Sequence, residues 1–158
     1  QGSVMQGSVM QGSVMQGSAT AAKETFESKF WRYINDARYR EWAPVAGTSG
    51  DAYPGQSPHG AMLKMYLSRK AAGLPNELPV GSVLVKENYA ADGKTLMAVT
   101  TMYKAKNYDA GGTGWYWTKY NPNGTVASKD GNRLAGKVKG CIECHSGAAG
   151  GDYAFFND

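Results

Sequence analysis

Two cysteines and a histidine lie together near the end of the chain, as Cys141-Ile142-Glu143-Cys144-His145. Thiols three residues apart can each form a thioether bond to one vinyl group of the same haem, and the imidazole that follows can bind the iron as an axial ligand. The chain has only two cysteines and two histidines in all, so chance is a poor explanation of this spacing. The motif therefore predicts a covalently attached haem c, held by Cys141 and Cys144, with His145 on the iron.

A Cys-x-x-Cys pair also occurs in structural zinc sites and in thiol–disulfide enzymes. A zinc site needs four ligands, and the fourth here would be the distant His59, in a spacing that fits none of the usual zinc-finger patterns. A thioredoxin-like pair opens a helix after a strand of a parallel βαβ unit, which this sequence lacks. Haem c is the favoured interpretation, and the other two remain as alternatives.

The function of such a haem depends on the axial position opposite His145. A second protein ligand, usually Met or His, gives a saturated iron suited to electron transfer, whereas an open position admits a small molecule. His59 lies in the turn-like segment Ser57–Gly60, where a lone histidine is more often a surface residue than a ligand. Four methionines lie inside strand patterns, where Met more often fills a core. These are Met62, Met65, Met97 and Met102. The sequence favours an open position.

Composition bounds the classes to which the chain can belong. It has 158 residues, a net charge of +4, 42% hydrophobic and 19% charged residues, which is typical of a folded domain rather than a disordered chain. The basic residues are spread among acidic and aromatic neighbours, without an Arg/Lys cluster or a glycine-rich phosphate loop, so we expect no nucleic-acid binding. No apolar run approaches the roughly 18 to 20 residues of a membrane-spanning helix, so we expect no membrane span.

The first 18 residues differ from the rest of the chain. They repeat Gln-Gly-Ser-Val-Met three times and end on Gln16-Gly17-Ser18. A period of five matches neither a helix nor a strand, so no amphipathic face forms. We therefore predict a low-complexity tail over residues 1–18 and a single haem domain over residues 19–158. If the tail is ordered, a partner such as a neighbouring chain must contact its Val and Met side chains.

The elements that position the haem motif follow from hydrophobic periodicity. Residues 19–36 are predicted as a helix, because aromatic and aliphatic residues recur there at helical spacing. Segments 61–67, 80–86, 96–103 and 115–120 are rich in β-branched and aromatic residues and are separated by turn signals, which predicts strands. Residues 68–73 are a candidate short helix, and residues 132–140 a short helix or turn. The predicted fold class is α+β: an antiparallel sheet of about four to five strands, N-terminal and C-terminal helices, and haem c at the C-terminal end.

A haem-binding pentad at the end of a β-rich body resembles the cytochrome P-460 family, whose relatives include the cytochromes c′-beta. The resemblance runs from about residue 24 to the end of the chain and leaves the repeat outside. The matching stretches are Tyr39–Trp42, Val83–Tyr89, Met102–Lys104 through Trp115–Trp117, and Cys141–His145 followed by Asp152–Phe155.

In that family the P-460 enzymes oxidise hydroxylamine and carry a covalent bond from a lysine side chain to the porphyrin edge. The resemblance places this lysine at Lys86, which ends an apolar run whose two strand faces both look buried. Hydroxylamine oxidation also needs a distal proton acceptor, for which Asp109 and Glu87 are the candidates. Either carboxylate could instead be an ordinary turn-capping or surface group.

The resemblance implies a mono-haem c cytochrome that oxidises hydroxylamine or a related small nitrogen compound, with a redox partner protein and a homodimeric or larger assembly. One alternative is a non-catalytic binder of nitric oxide or another diatomic gas, as in the c′-beta branch. The other is an electron-transfer cytochrome in an assembly. Because bacterial haem c is attached outside the cytoplasm, we expect a periplasmic or secreted location, with a signal peptide already removed.

Overall fold

The computed structural model describes residues 22–45, 48–73, 76–109 and 111–156. The repeat of residues 1–18 lies outside this part of the chain, so the tail stays a prediction.

The first helix, α1, spans Phe26–Asp36. Thr25 is its N-cap, and the Thr25 side chain accepts a hydrogen bond from Ser28 N at 3.2 Å. Residues 22–25 are not helical, so the prediction of a helix from residue 19 is wrong at its start. The physical reason is that an N-cap residue takes an extended backbone conformation that the helix cannot continue through. Phe30 and Ile34 form the buried side of α1.

Short strands follow α1 and a 3-10 helix at Tyr39–Glu41. They are β1 (Ala43–Pro44), β2 (Tyr53–Pro54), β3 (Met62–Leu67), β4 (Val83–Tyr89), β5 (Leu96–Lys104), β6 (Trp115–Tyr120), β7 (Ser128–Lys129), β8 (Asn132–Arg133) and β9 (Ala135–Gly136). A last helix, α2, spans Lys139–His145. The main sheet has the order β1-β3-β4-β5-β6-β9, with β2 also paired to β3, and every pair is antiparallel.

The predicted fold class is confirmed, since β3 to β6 correspond to the four predicted strands and a helix lies toward each end of the described chain. Two local predictions are wrong. Residues 69–73 form turns rather than a helix, and residues 132–136 contribute to β8 and β9. A strand of two residues is too short to show alternation of apolar and polar side chains in the sequence. These strands are defined instead by their pairing with β3, β6 or each other.

The two faces of the sheet have different coverings. Side chains alternate along each strand, so Val83, Val85 and Glu87 of β4 point to one face and Leu84, Lys86 and Asn88 to the other. On the first face, Val83 and Val85 pack in one apolar cluster with Phe30 and Ile34 of α1. On the second face, Leu84 packs in another apolar cluster with side chains of β3, β5 and β6 and of the C-terminal segment. The haem motif therefore faces the side of the sheet opposite α1.

Within the described ranges, no helix is long and apolar enough to span a membrane.

Candidate functional site

The second face of the sheet presents two rows of cross-strand neighbours. They follow from the registers of β3 with β4, β4 with β5 and β5 with β6. The first row is Met65, Lys86, Thr100 and Lys119, and the second is Leu67, Leu84, Met102 and Trp117. Lys86 therefore lies in the middle of a largely apolar floor.

Helix α2 carries the haem motif over this floor. Cys141, Cys144 and His145 are spaced i, i+3 and i+4, which places them on neighbouring positions of one helix face. All three line a cavity of about 280 Å³ between α2 and the sheet, and Lys86 lines the same cavity. Both cysteines are free thiols, and burial raises the pKa of Cys141. The structure thus brings together four of the six predicted site residues.

The walls of the cavity are mainly apolar. Its charged lining side chains are Lys86, Lys119 and Lys129, and no lining residue that the structure describes is acidic. The remaining residues that line the cavity are Pro58, His59, Met65, Leu84, Thr100, Thr101, Met102, Trp117, Thr118, Leu134, Val138, Gly140 and Phe155. A planar, mostly apolar cofactor with anionic substituents fits walls of this kind, because its body is buried and its charges have cationic partners available.

The imidazole of His145 is held in one orientation. Its Nδ1 lies 2.7 Å from the carbonyl oxygen of Tyr153, so Nδ1–H donates and the Nε2 lone pair is left for a metal. The ring is buried and makes edge contacts with Trp117 and Phe155, at centroid distances of 4.9 and 5.0 Å. Burial lowers the pKa of His145, so that the neutral, ligating form is favoured.

Asp152 fixes the segment that supplies the Tyr153 carbonyl group. Its side chain accepts a hydrogen bond from Leu78 N at 2.7 Å and forms an ion pair with Lys104 at 2.5 Å. Its backbone carbonyl accepts from the indole N–H of Trp115 at 2.9 Å. Asp152 thereby ties the chain after α2 to β5 and β6. Sequence reasoning noted this stretch as part of a resemblance but gave Asp152 no role, since its partners are distant in sequence.

His59 belongs to the site, although the sequence favoured a surface position for it. It lines the cavity, and its ring centroid lies 6.2 Å from that of His145. Burial lowers the pKa of His59 to about 4, with the nearby Lys86 charge acting in the same direction. The imidazole is therefore neutral at physiological pH. A single histidine in a turn carries no sequence signal for this placement, which depends on how the loop before β3 folds back.

The two predicted carboxylates lie elsewhere. Glu87 points to the α1 side of the sheet, where it accepts hydrogen bonds from Tyr39, Tyr89 and Arg40. Burial alone would raise the pKa of Glu87, but these donors outweigh it and lower the pKa. Asp109 forms an ion pair with Lys137 at 2.5 Å, and this contact lowers its pKa. Neither carboxylate lines the cavity.

The zinc interpretation gains no support from side-chain geometry. Across residues 22–45, 48–73, 76–109 and 111–156, no group of three or more His, Cys, Asp or Glu side chains is arranged to hold a metal ion.

A protein-family model described as Cytochrome P460 matches residues 35–156. The chain belongs to the cytochrome P460 family. The family prediction is therefore confirmed, and the matched range contains both His59 and the haem motif. No curated protein matches the sequence. As a member of the cytochrome P460 family, the protein binds haem, and the cavity residues fit that group: His145 offers Nε2, two thiols lie on the same helix face, and the floor is apolar.

Proposed function

We propose that this cytochrome P460-family protein is a periplasmic or secreted mono-haem c cytochrome that oxidises hydroxylamine or a related small nitrogen compound. The electrons would pass to a redox partner protein. The observation that carries the proposal is the position of Lys86, which lines one cavity together with Cys141, Cys144 and His145. In the family that the chain resembles, the hydroxylamine-oxidising enzymes carry a covalent bond from a lysine at this place to the porphyrin edge.

Covalent attachment of the haem is supported by the two free thiols on α2. Each Sγ would add to a vinyl group of the haem, so that a carbon–sulfur bond forms and the thiol hydrogen moves to the second vinyl carbon. The reaction needs no oxidant, because one S–H bond and one π bond are exchanged for one C–S and one C–H bond. Cys141 and Cys144 would hold the haem in the cavity, and His145 would bind its iron.

The protein's own residues have separate tasks in this proposal. The Tyr153 carbonyl oxygen accepts the Nδ1–H of His145 at 2.7 Å, which orients the ring and raises the basicity of Nε2. Lys86 lies in the middle of the floor, where its amine would tune the porphyrin electrostatically. Lys119 and Lys129 are the cationic partners available for the haem propionates. A bound haem supplies an iron that exchanges electrons with a small molecule or a protein partner.

A second function is favoured by the absence of an acidic side chain among the described lining residues. Hydroxylamine oxidation releases protons, and a cavity without a carboxylate has to pass them to water or to an imidazole. A neutral diatomic gas needs no such acceptor. Binding of nitric oxide or another diatomic gas is therefore the second candidate function.

The test is the absorption spectrum of the ferrous protein, recorded with hydroxylamine-dependent reduction of an electron acceptor. The proposal predicts turnover by the wild type, and a drop of about tenfold or more in Lys86→Ala, since Lys86 acts at the cofactor. Lys64→Ala is the matched control, because Lys64 lies on the other face of β3 and its loss should leave turnover unchanged. No turnover in the wild type, with identical spectra for wild type and Lys86→Ala, would reject hydroxylamine oxidation and leave gas binding.

A further inference from the structure

We propose that His59 is a second axial ligand of the haem iron, on the face opposite His145, so that the resting iron is six-coordinate. This inference rests on the haem site of the proposed function but not on its substrate. It differs from the open position that the sequence favours.

The distance between the two imidazoles is the first argument. Two histidines that bind one iron on opposite faces have ring centroids about 6.2–6.4 Å apart, because each metal–nitrogen bond is about 2.0–2.1 Å and each nitrogen lies about 1.1 Å from its ring centroid. The observed centroid distance between His59 and His145 is 6.2 Å. Trp117 and Phe155 lie closer to His145, at 4.9 and 5.0 Å. The separation of the two imidazoles therefore matches that of two histidines bound to one iron.

The tautomer of His59 is the second argument. Its Nδ1 lies 2.9 Å from Oδ1 of Asn88. The amide group of Asn88 has one orientation, because its Nδ2 faces three acceptors: the carbonyl oxygens of Lys86 and Ala98 and the hydroxyl of Thr100, at 2.9, 3.3 and 3.3 Å. Oδ1 can only accept, so Nδ1 of His59 carries the hydrogen. Nε2 of His59 then has a free lone pair, as does Nε2 of His145.

Oδ1 of Asn88 accepts the Nδ1–H of His59, just as the carbonyl oxygen of Tyr153 accepts the Nδ1–H of His145. A metal-binding histidine commonly donates its second ring N–H to a fixed acceptor, which sets its orientation and basicity. Asn88 is 2% exposed and lies in the middle strand pair of the sheet, so this acceptor is rigid. A surface histidine would have no need of a buried amide partner.

The loop before β3 is built to bring His59 to this place. A Cβ atom on Gly60 would lie 2.4 Å from the carbonyl oxygen of Tyr89, so only glycine allows the backbone to approach the end of β4 this closely. Gly60 N also donates to Oδ1 of Asn88 at 3.3 Å. The loop is therefore held to β4 by the same amide that orients the His59 ring.

A bound His59 changes how the haem works. The iron would be saturated at rest, which suits exchange of electrons with a protein partner. A small molecule would reach the iron only when His59 leaves it. The apparent affinity and rate for exogenous ligands are then reduced by the fraction of molecules in which His59 is dissociated.

The experiment uses the haem-loaded protein, with ferric absorption and electron paramagnetic resonance spectra and carbon monoxide binding to the ferrous form. The wild type should be six-coordinate and low-spin, and His59→Ala high-spin, with low-spin character restored by added imidazole. Carbon monoxide should bind His59→Ala about tenfold faster or more, since a site closed nine-tenths of the time slows binding by that factor. Met65→Leu is the matched control, because Met65 lines the same cavity and its change should leave the low-spin spectrum intact.

Each contrary result identifies a different error. A high-spin wild-type spectrum overturns the inference, and so does a low-spin spectrum that persists in His59→Ala, because another group then binds the iron. Restoration by imidazole shows that the His59→Ala protein is folded. If the wild type is low-spin through His59 but neither protein oxidises hydroxylamine, the ligand assignment holds and the proposed substrate is rejected.

Discussion

The substitution Glu87→Gln tests whether Glu87 stabilises the fold or takes part in the chemistry at the haem. Glu87 is 0% exposed, and its two oxygens accept hydrogen bonds from Tyr39 at 2.7 Å, Arg40 at 2.6 Å, Tyr66 at 3.2 Å and Tyr89 at 2.5 Å. All of these lie on the sheet face opposite the cavity. The substitution keeps the size and shape of the side chain but removes its charge.

The expected loss of stability follows from the four contacts. A hydrogen bond to a charged group contributes about 1 kcal/mol more than a neutral one, so four contacts correspond to about 4 kcal/mol. A neutral amide is easier to bury than a carboxylate, and Arg40 is half-exposed, which offsets part of that loss. We expect the free energy of unfolding to fall by about 2–3 kcal/mol, with the haem spectrum and hydroxylamine turnover of the folded protein unchanged.

Urea denaturation followed by far-ultraviolet circular dichroism measures this loss. Glu41→Gln is the matched control, because Glu41 is exposed and its ion pair is with exposed Arg38 at 3.6 Å, so its loss should cost less than about 0.5 kcal/mol. The assignment of Glu87 to the fold would be refuted if Glu87→Gln were as stable as Glu41→Gln, or if the folded variant lost turnover with an altered pH profile. The second result would make Glu87 the proton acceptor of the reaction.

Three further predictions concern the supports of the site and the fold. Thr25→Ala removes the N-cap of α1 and should lower the free energy of unfolding by about 1 kcal/mol, measured by urea denaturation, with Thr25→Ser as the conservative control that should retain most of it. The pKa of Glu27 is lowered to about 2, chiefly by its hydrogen bond from Arg133, so its stabilisation is complete above the unfolded-state pKa of 4.5 and is lost as the pH falls toward 2. The loss of stability between pH 5 and 2 should therefore be smaller by about 2 kcal/mol in Glu27→Gln than in the wild type, and equal slopes would contradict this linkage. Asp152→Asn weakens the ion pair with Lys104 and should shift the haem reduction potential, since the segment that orients the axial histidine is loosened; an unchanged potential would confine Asp152 to the fold.

Much of the fold is predictable because its strands are long and periodic. β3 to β6 are runs of six to nine residues that are rich in apolar and aromatic side chains and are separated by turn signals. Burial alternates along the whole of β3, whereas β4 has buried residues on both faces of the sheet. The two-residue strands and the turn at residues 69–73 are not predictable, because long-range pairing rather than local pattern defines them. The start of α1 depends on the Thr25 side chain, which caps the helix. A hydrophobic pattern gives no information about such a polar cap.

The site, like the fold, was only partly predictable from the sequence. Cys141, Cys144 and His145 are recognisable because the haem motif is local, and Lys86 was found through a family resemblance. Glu87, their neighbour in the prediction, points away from the cavity because adjacent residues of a strand face opposite sides.

No local motif or family resemblance in the sequence pointed to His59 as a site residue. Its place beside His145 depends on Gly60 lying against β4 and on Asn88 turning its amide oxygen outward, two tertiary facts that the sequence does not display.

In the proposed site, Cys141 and Cys144 attach one haem covalently and His145 binds its iron. The most direct test is the intact mass of the denatured protein, purified from a bacterium that attaches haem c and extracted with acidic acetone. We predict the mass of the chain plus one haem, and loss of this added mass in the Cys141→Ala, Cys144→Ala double variant. A wild-type mass equal to that of the bare chain, with the haem in the acetone phase, would contradict covalent attachment by Cys141 and Cys144.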